Sequence, residues 1–258
     1  MHSPTLHLDR IDAVLVDADH VVVDTARLHG AAWQQVFDEF LSRHCADEDV
    51  TVPGFDPIED YFRYADGRPA TETVREFLTA RGVKIPEESR DRHADTVHSL
   101  AARKSSYVLT ELRRTGVRTF PSAVTLLRNL RERGIRTAAV SASRNCTHIL
   151  SCAQLTKLFD LKLDSIDAAI AGLPALPDPA VMLEATHRLG VSPRRTAVLT
   201  SSPVMAQAAW NGCFEPIIAV DRFGLRSRLY TVGAHVVVNE CDELTIAGHR
   251  GRAILARG

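Results

Sequence analysis

From Pro121 to Val238 the chain alternates short β-branched runs with helical stretches, and this alternation constrains the fold more than any other feature. Pro121–Arg133 reads as a helix opened by proline, followed by Gly134 and a strand at Arg136–Val140. Then come helix Asn145–Leu155, strand Phe159–Leu163, helix Ala180–Leu189 closed by Gly190, and strand Thr196–Leu199. Helix Val204–Asn211 is closed by Gly212, and strand Pro216–Val220, helix Leu225–Gly233 and strand His235–Val238 complete the series. Strands alternating with helices through short loops imply βαβ units and a parallel sheet. One earlier strand, Ala13–Asp17, stands apart, with Val21–Val23 just after it. Between it and the series the pattern is helical. Leu28, Ala32, Val36, Phe40 and Leu41 recur at about a 3.6-residue period from Thr25 to about His44. Residues 50–70, rich in proline and glycine, read as loops around short helices. Helical patterning returns over Thr73–Arg81 and from about Ser89 to Thr115, where Gly116 ends it. The expected class is α/β. A Rossmann-like core with a parallel sheet occupies residues 1–25 and 117–245, an inserted α-helical cap residues 26–116, and a basic tail residues 246–258.

A length of 258 residues suits one large domain with an insertion. The 31 Lys and Arg nearly balance the 32 Asp and Glu, so no field is available to hold a polyanion, and nucleic acid is excluded as the main partner. No apolar run approaches the roughly 18 residues of a membrane helix, so no membrane partner is expected. Residues 1–10 are polar and include Asp9, and no signal peptide is expected. Cys45, Cys146, Cys152, Cys213 and Cys241 are odd in number, widely spaced and without a CxxC pair. Neither a disulfide framework nor a structural zinc site is expected, and a reducing cytoplasm is the default location. No GxGxxG, P-loop or GxSxG is present, so dinucleotide, Walker-type and nucleophile-elbow chemistries lack their glycines.

Ligands of open α/β sheets bind at the carboxyl ends of the strands. Here that end reads Val16-Asp17-Ala18-Asp19-His20-Val21-Val22-Val23-Asp24-Thr25. Two carboxylates two residues apart at a strand-to-loop transition can face one cleft, one attacking as nucleophile and the other passing a proton. The plainer alternative is a pair of solvated or helix-capping aspartates.

The wider pattern resembles the first motif of the haloacid dehalogenase superfamily, most closely its β-phosphoglucomutase-like branch. The likeness extends through His29 and Trp33 and spans about 13–240. It implies that Asp17 forms a phospho-aspartate. Asp19 would act as general acid/base and lend its backbone carbonyl to Mg²⁺. His20 stands where the family usually has glycine. Ser141 matches the phosphoryl-binding residue of the second motif. Ala142, Ser143, Arg144 and Asn145 match a segment that grips a second phosphate and opens a helix whose N–H groups favour anions. The third motif should supply lysine, but Gly172–Pro179 carries Leu176 there. The fourth should supply acids, but Thr200 and Ser201 hold those places, while the following Ala206, Ala208, Ala209 and Gly212 keep the family spacing. The implied Mg²⁺ ligands are Asp17, Asp19 and Ser201, a weakened set for a hard cation. Each lost electrostatic stabiliser commonly costs about 10²–10³ in rate. His20 as imidazolium, or Arg144, are the available substitutes for the lysine.

In the cap, Asp66-Gly67-Arg68 and Arg103-Lys104-Ser105 resemble substrate-contacting segments of the branch, with Arg68 and Lys104 as the contacts; the alternative is a solvated basic turn or helix face. His93 and His98 are expected at the surface, and Trp210 and Phe214 in packing. The implied ligand is a phosphorylated sugar or other small phosphate ester. Two readings follow. One is a phosphatase or phosphomutase with weakened aspartate chemistry. The other is a catalytically inactive phosphosugar-binding or regulatory module. Gly172–Pro179 and the long cap are also similar to the accessory domain of actinobacterial trehalose-phosphate phosphatases. That likeness implies disaccharide-phosphate metabolism beside a catalytic partner protein.

Overall fold

The computed structural model describes residues 4–48, 51–91 and 93–248. Most of the expected tail, 249–258, lies outside the described residues. A parallel pair of short strands, β1 (Thr5–His7) and β8 (Thr245–Ala247), closes the core, with Leu6 opposite Ile246. The tail boundary at residue 246 therefore falls inside a strand. Strands this short show no detectable alternation, and only Leu6 of β1 is buried.

The main sheet is parallel and contains β2 (Ala13–Asp17), β3 (Arg136–Val140), β4 (Leu161–Leu163), β5 (Thr196–Thr200), β6 (Ile217–Val220) and β7 (Val236–Val238). Their spatial order is β4-β3-β2-β5-β6-β7. All five residues of the central β2 are buried, which is why it reads as a continuous apolar run rather than an alternation. On one face, Val14 and Val16 pack with Leu127 and Leu130 of α4 (Pro121–Glu132) and Ile149 of α5 (Cys146–Cys152). On the other, Leu15 and Val198 pack with Met182 and Ala185 of α7 (Ala180–Leu189) and Ala206 of α8 (Pro203–Asn211). The six-residue α6 (Ser165–Ile170) follows β4, and α9 (Arg226–Thr231) precedes β7.

The insertion after β2 forms a helical cap of α1 (Ala26–Glu48), a π-helical turn (Tyr61–Ala65), α2 (Ala70–Ala80) and α3 (Val97–Thr115). Its separate core is aromatic: Phe37 lies 5.1 Å from Trp33 and 4.0 Å from Phe77 between ring centroids.

Several boundaries differ from the sequence expectation. Helix α3 begins at Val97 rather than near Ser89, because Thr96 caps it and exchanges side-chain hydrogen bonds with Ser99. Helix α5 stops at Cys152, since Gln154 turns into the left-handed region (φ 58°) and a short 3₁₀ turn follows. Helix α6 escaped the periodicity because its apolar residues face outward: Ile166 is 43% and Ile170 83% exposed. Phe214 packs inside as expected, whereas Trp210 is largely exposed. His93 and His98 are at the surface.

Candidate functional site

Strand register builds the site. Asp17 pairs with Val140, and Val16 with Leu199, so Asp17 ends one residue before Ser141 on one side and level with Thr200 on the other. Asp17 Oδ1 accepts the Asp19 N–H at 3.2 Å, and Oδ2 accepts the Thr200 hydroxyl at 2.9 Å. Asp19 accepts the Thr25 hydroxyl at 2.7 Å and the Ser141 hydroxyl at 2.5 Å. Ser141 Oγ in turn accepts the Ser143 N–H at 2.9 Å.

The cap closes over this end of the sheet. Lys104 of α3 places Nζ 2.9 Å from His29 Nδ1, and His29 Nε2 stands 3.5 Å from Asp19 Oδ1. A protonated Lys104 leaves Nδ1 as acceptor, which puts the ring proton on Nε2, facing Asp19. Lys104 also lies 5.6 Å from the Trp33 ring centroid. Asp66 descends from the loop after the π-helical turn to 3.8 Å from His20 Nε2. The descent needs Gly67 (φ 70°), where a Cβ would sit 3.0 Å from Ser202 Oγ.

Asp17, Asp19, Ser141, Ala142, Ser143 and Arg144 line one cleft with Arg68 and Lys104. Arg68 is ion-paired with Glu76, and Arg144 is exposed at the cleft wall. Asn145 and Ser201 do not line the cleft. Both are buried, and Asn145 Nδ2 and Ser201 Oγ have no hydrogen-bond partner among the described residues. Leu176, 9% exposed, forms part of the cleft wall. Tyr61 and Asp66 also line it. Their roles were not legible in sequence, because only the folding of the cap brings them over β2.

Burial, reinforced by the carboxylates of Asp19 and Asp66, pushes Asp17 well above the usual carboxylate range. Burial also acts against ionised Asp19, but His29, His20 and the Ser141 hydroxyl outweigh it and hold that carboxyl below the usual range. Burial raises Asp66 to about 7 and lowers Lys104 to about 8. His20 occupies the left-handed region (φ 64°), where a side chain costs about 1–2 kcal/mol. Its ring is buried against Tyr61 and Phe223, with Nε2 2.8 Å from the Tyr61 hydroxyl. Burial lowers its pKa to about 4, so the ring is neutral at pH 7 and does not replace the missing lysine. Among the described residues, Lys104 is the buried cation of the cleft.

The resemblance implies Mg²⁺, and the donor set does not fit it. Mg²⁺ demands near-octahedral oxygen ligands at about 2.0–2.1 Å, usually with carboxylates among them. Asp17 already accepts hydrogen bonds on both oxygens, and a hydroxyl donor occupies the side where an acid is expected. Among the described residues no group of three or more His, Cys, Asp or Glu could hold a metal ion.

The family profile of haloacid dehalogenase-like hydrolases matches residues 11–209. The chain belongs to this family. A β-phosphoglucomutase of Mycobacterium bovis is 31% identical over 241 residues, covering 92% of each chain, and places this haloacid dehalogenase-like protein in the β-phosphoglucomutase-like branch. An uncharacterized glycosyl hydrolase of Mycobacterium tuberculosis is 35% identical over 246 residues, 94% of this chain. The chain spans only 18% of that relative's length. Among solved structures, CbbY of Rhodobacter sphaeroides in complex with xylulose 1,5-bisphosphate shares the fold, with a TM-score of 0.71 at 19% identity, covering 92% of this chain and 97% of that one. Among the described residues no helix is long and apolar enough to cross a membrane.

Proposed function

We propose that this chain binds a small phosphate ester between core and cap, and turns it over slowly or not at all. The observation that carries the reading is the surroundings of Asp17: Leu176 in the cleft wall where the family supplies lysine, and the Thr200 hydroxyl hydrogen-bonded to the carboxyl. In-line attack needs an ionised Asp17. Burial and two neighbouring carboxylates favour its protonated form, and among the described residues no cation adjoins it to reverse that preference. Phosphate binding needs less. Lys104, Arg144 and the Ser141–Ser143 segment line the same cleft and supply charge and donors. Family membership supports a phosphate-ester ligand.

The test is calorimetric titration with inorganic phosphate and glucose phosphates, with turnover measured on the same samples. Binding without Asp17-dependent turnover is expected. Rapid turnover would overturn the reading.

A second reading, a regulatory module beside a catalytic partner, is favoured by the small share of the longer M. tuberculosis relative that this chain spans. The likeness of 172–179 to trehalose-phosphate phosphatase accessory domains makes a disaccharide phosphate the first ester to try in that setting. Titrating this chain with the remaining part of the longer relative, with and without phosphate, checks it. No association in either condition counts against it.

A further inference from the structure

The cleft around Asp17 encloses about 80 Å³. It is the narrower of two adjoining spaces. Ser141, Ala142, Arg144 and Leu176 are shared walls with a second, larger chamber of about 460 Å³ between cap and core. The body of a phosphate ester seated by Ser141 and Arg144 therefore has one roomy direction to take.

The chemistry of that chamber is apolar. Pro69, Ala70 and Ala101 line it from the cap, and Ile166, Ile170 and Leu173 from the core. Among the described residues no Asp, Glu, Asn or Gln lines it. Its hydrogen-bonding side chains are Thr71, His98, Ser141, Arg144 and Ser165, and the last three also line the phosphate cleft. Beyond the phosphate end only Thr71 and His98 remain, and the His98 side chain is 54% exposed. A hexose presents hydroxyls on all sides, and each one pressed unpaired against these walls weakens binding by about 5- to 150-fold. An independent observation agrees: Ile166 and Ile170, among the few large exposed apolar side chains of the described residues, both belong to this chamber.

We propose that the phosphate ester carries an apolar body, an alkyl or aryl group, lying against Ile170, Leu173 and Leu176. The proposal rests on the reading that the cleft holds phosphate. It also gives Leu176 a positive role as the apolar wall joining the two spaces.

The test is calorimetry with inorganic phosphate, glucose 6-phosphate, butyl phosphate and hexyl phosphate. Affinity is expected to rise about three- to fourfold per added methylene. Hexyl phosphate should bind at least tenfold tighter than glucose 6-phosphate. Ile170→Asn combined with Leu173→Asn should weaken hexyl phosphate at least tenfold and leave inorganic phosphate unchanged. Ile170→Asn alone, at an exposed position, guards against a folding defect in the double variant and should give a smaller loss in the same direction. A flat chain-length series, glucose 6-phosphate binding as tightly as hexyl phosphate, or an unaffected double variant overturns the proposal while leaving phosphate binding intact. Failure of every probe, inorganic phosphate included, overturns both readings.

Discussion

Thr200 Oγ1 stands 2.9 Å from Asp17 Oδ2 and donates a hydrogen bond to it. A neutral donor thus faces the carboxyl that the family pattern makes the nucleophile, at the position where that pattern calls for an acid. Restoring the pattern is a direct consequence to test. Leu176→Lys together with Thr200→Glu and Ser201→Asp should raise Mg²⁺-dependent hydrolysis of p-nitrophenyl phosphate by about 10² or more. Mg²⁺ should raise the melting temperature of this variant and leave that of the wild type unchanged. A repaired variant that binds Mg²⁺ yet gains no rate would show that the three substitutions are not what limits turnover.

Lys104 is held at a cost to the fold. Its pKa falls from 10.5 to about 8 through burial, a penalty of roughly 3 kcal/mol at about 1.4 kcal/mol per unit. The sign follows from proton counting: between pH 8 and 10.5 the unfolded chain binds more protons, so stability rises with pH in that window. Below pH 8 both states are protonated and the penalty is fully present. Lys104→Met should therefore leave the ligand-free protein as stable as the wild type or more so at pH 7, despite the lost His29 contact. It should also weaken phosphate binding by about 10- to 100-fold, as loss of a charged hydrogen bond would. Thermal melts and phosphate titration at pH 7 read the two effects separately.

Asp66 gives a second pH signature. Burial raises its pKa from 3.8 to about 7, so its ionisation destabilises the fold increasingly as pH rises from about 4 to 7. Asp66→Asn removes that term. The variant's stability advantage over wild type should be smallest near pH 4 and reach a few kcal/mol above pH 7. His20 titrates with the opposite sense, being lowered from 6.5 to about 4, but it is present in both proteins and largely cancels in the difference. A difference that does not vary with pH would mean Asp66 is not buried as an acid.

The core was readable because β2, β3 and β5 are short, buried and β-branched, and because helices such as Ala180–Leu189 carry a clear period and a closing Gly190. Asp17, Asp19 and Ser141 were readable because a parallel sheet gathers its strand ends at one edge. His20 was the harder case. Its charge state depends on a Tyr61 and a Phe223 that approach from distant segments, which no local pattern encodes. Asp66 was visible only as a neighbour of Arg68, and its burial follows from the close seat of Gly67 on Ser202. The short α6 was missed because its isoleucines face outward, contrary to the rule that periodicity reports burial.

The most direct measurement compares steady-state hydrolysis of p-nitrophenyl phosphate by wild type and Asp17→Asn, with and without Mg²⁺, alongside phosphate binding to both. Measurable phosphate binding by the wild type, with rates that neither respond to Mg²⁺ nor fall in Asp17→Asn, is the predicted result. Brisk Mg²⁺-dependent turnover that Asp17→Asn abolishes would contradict it.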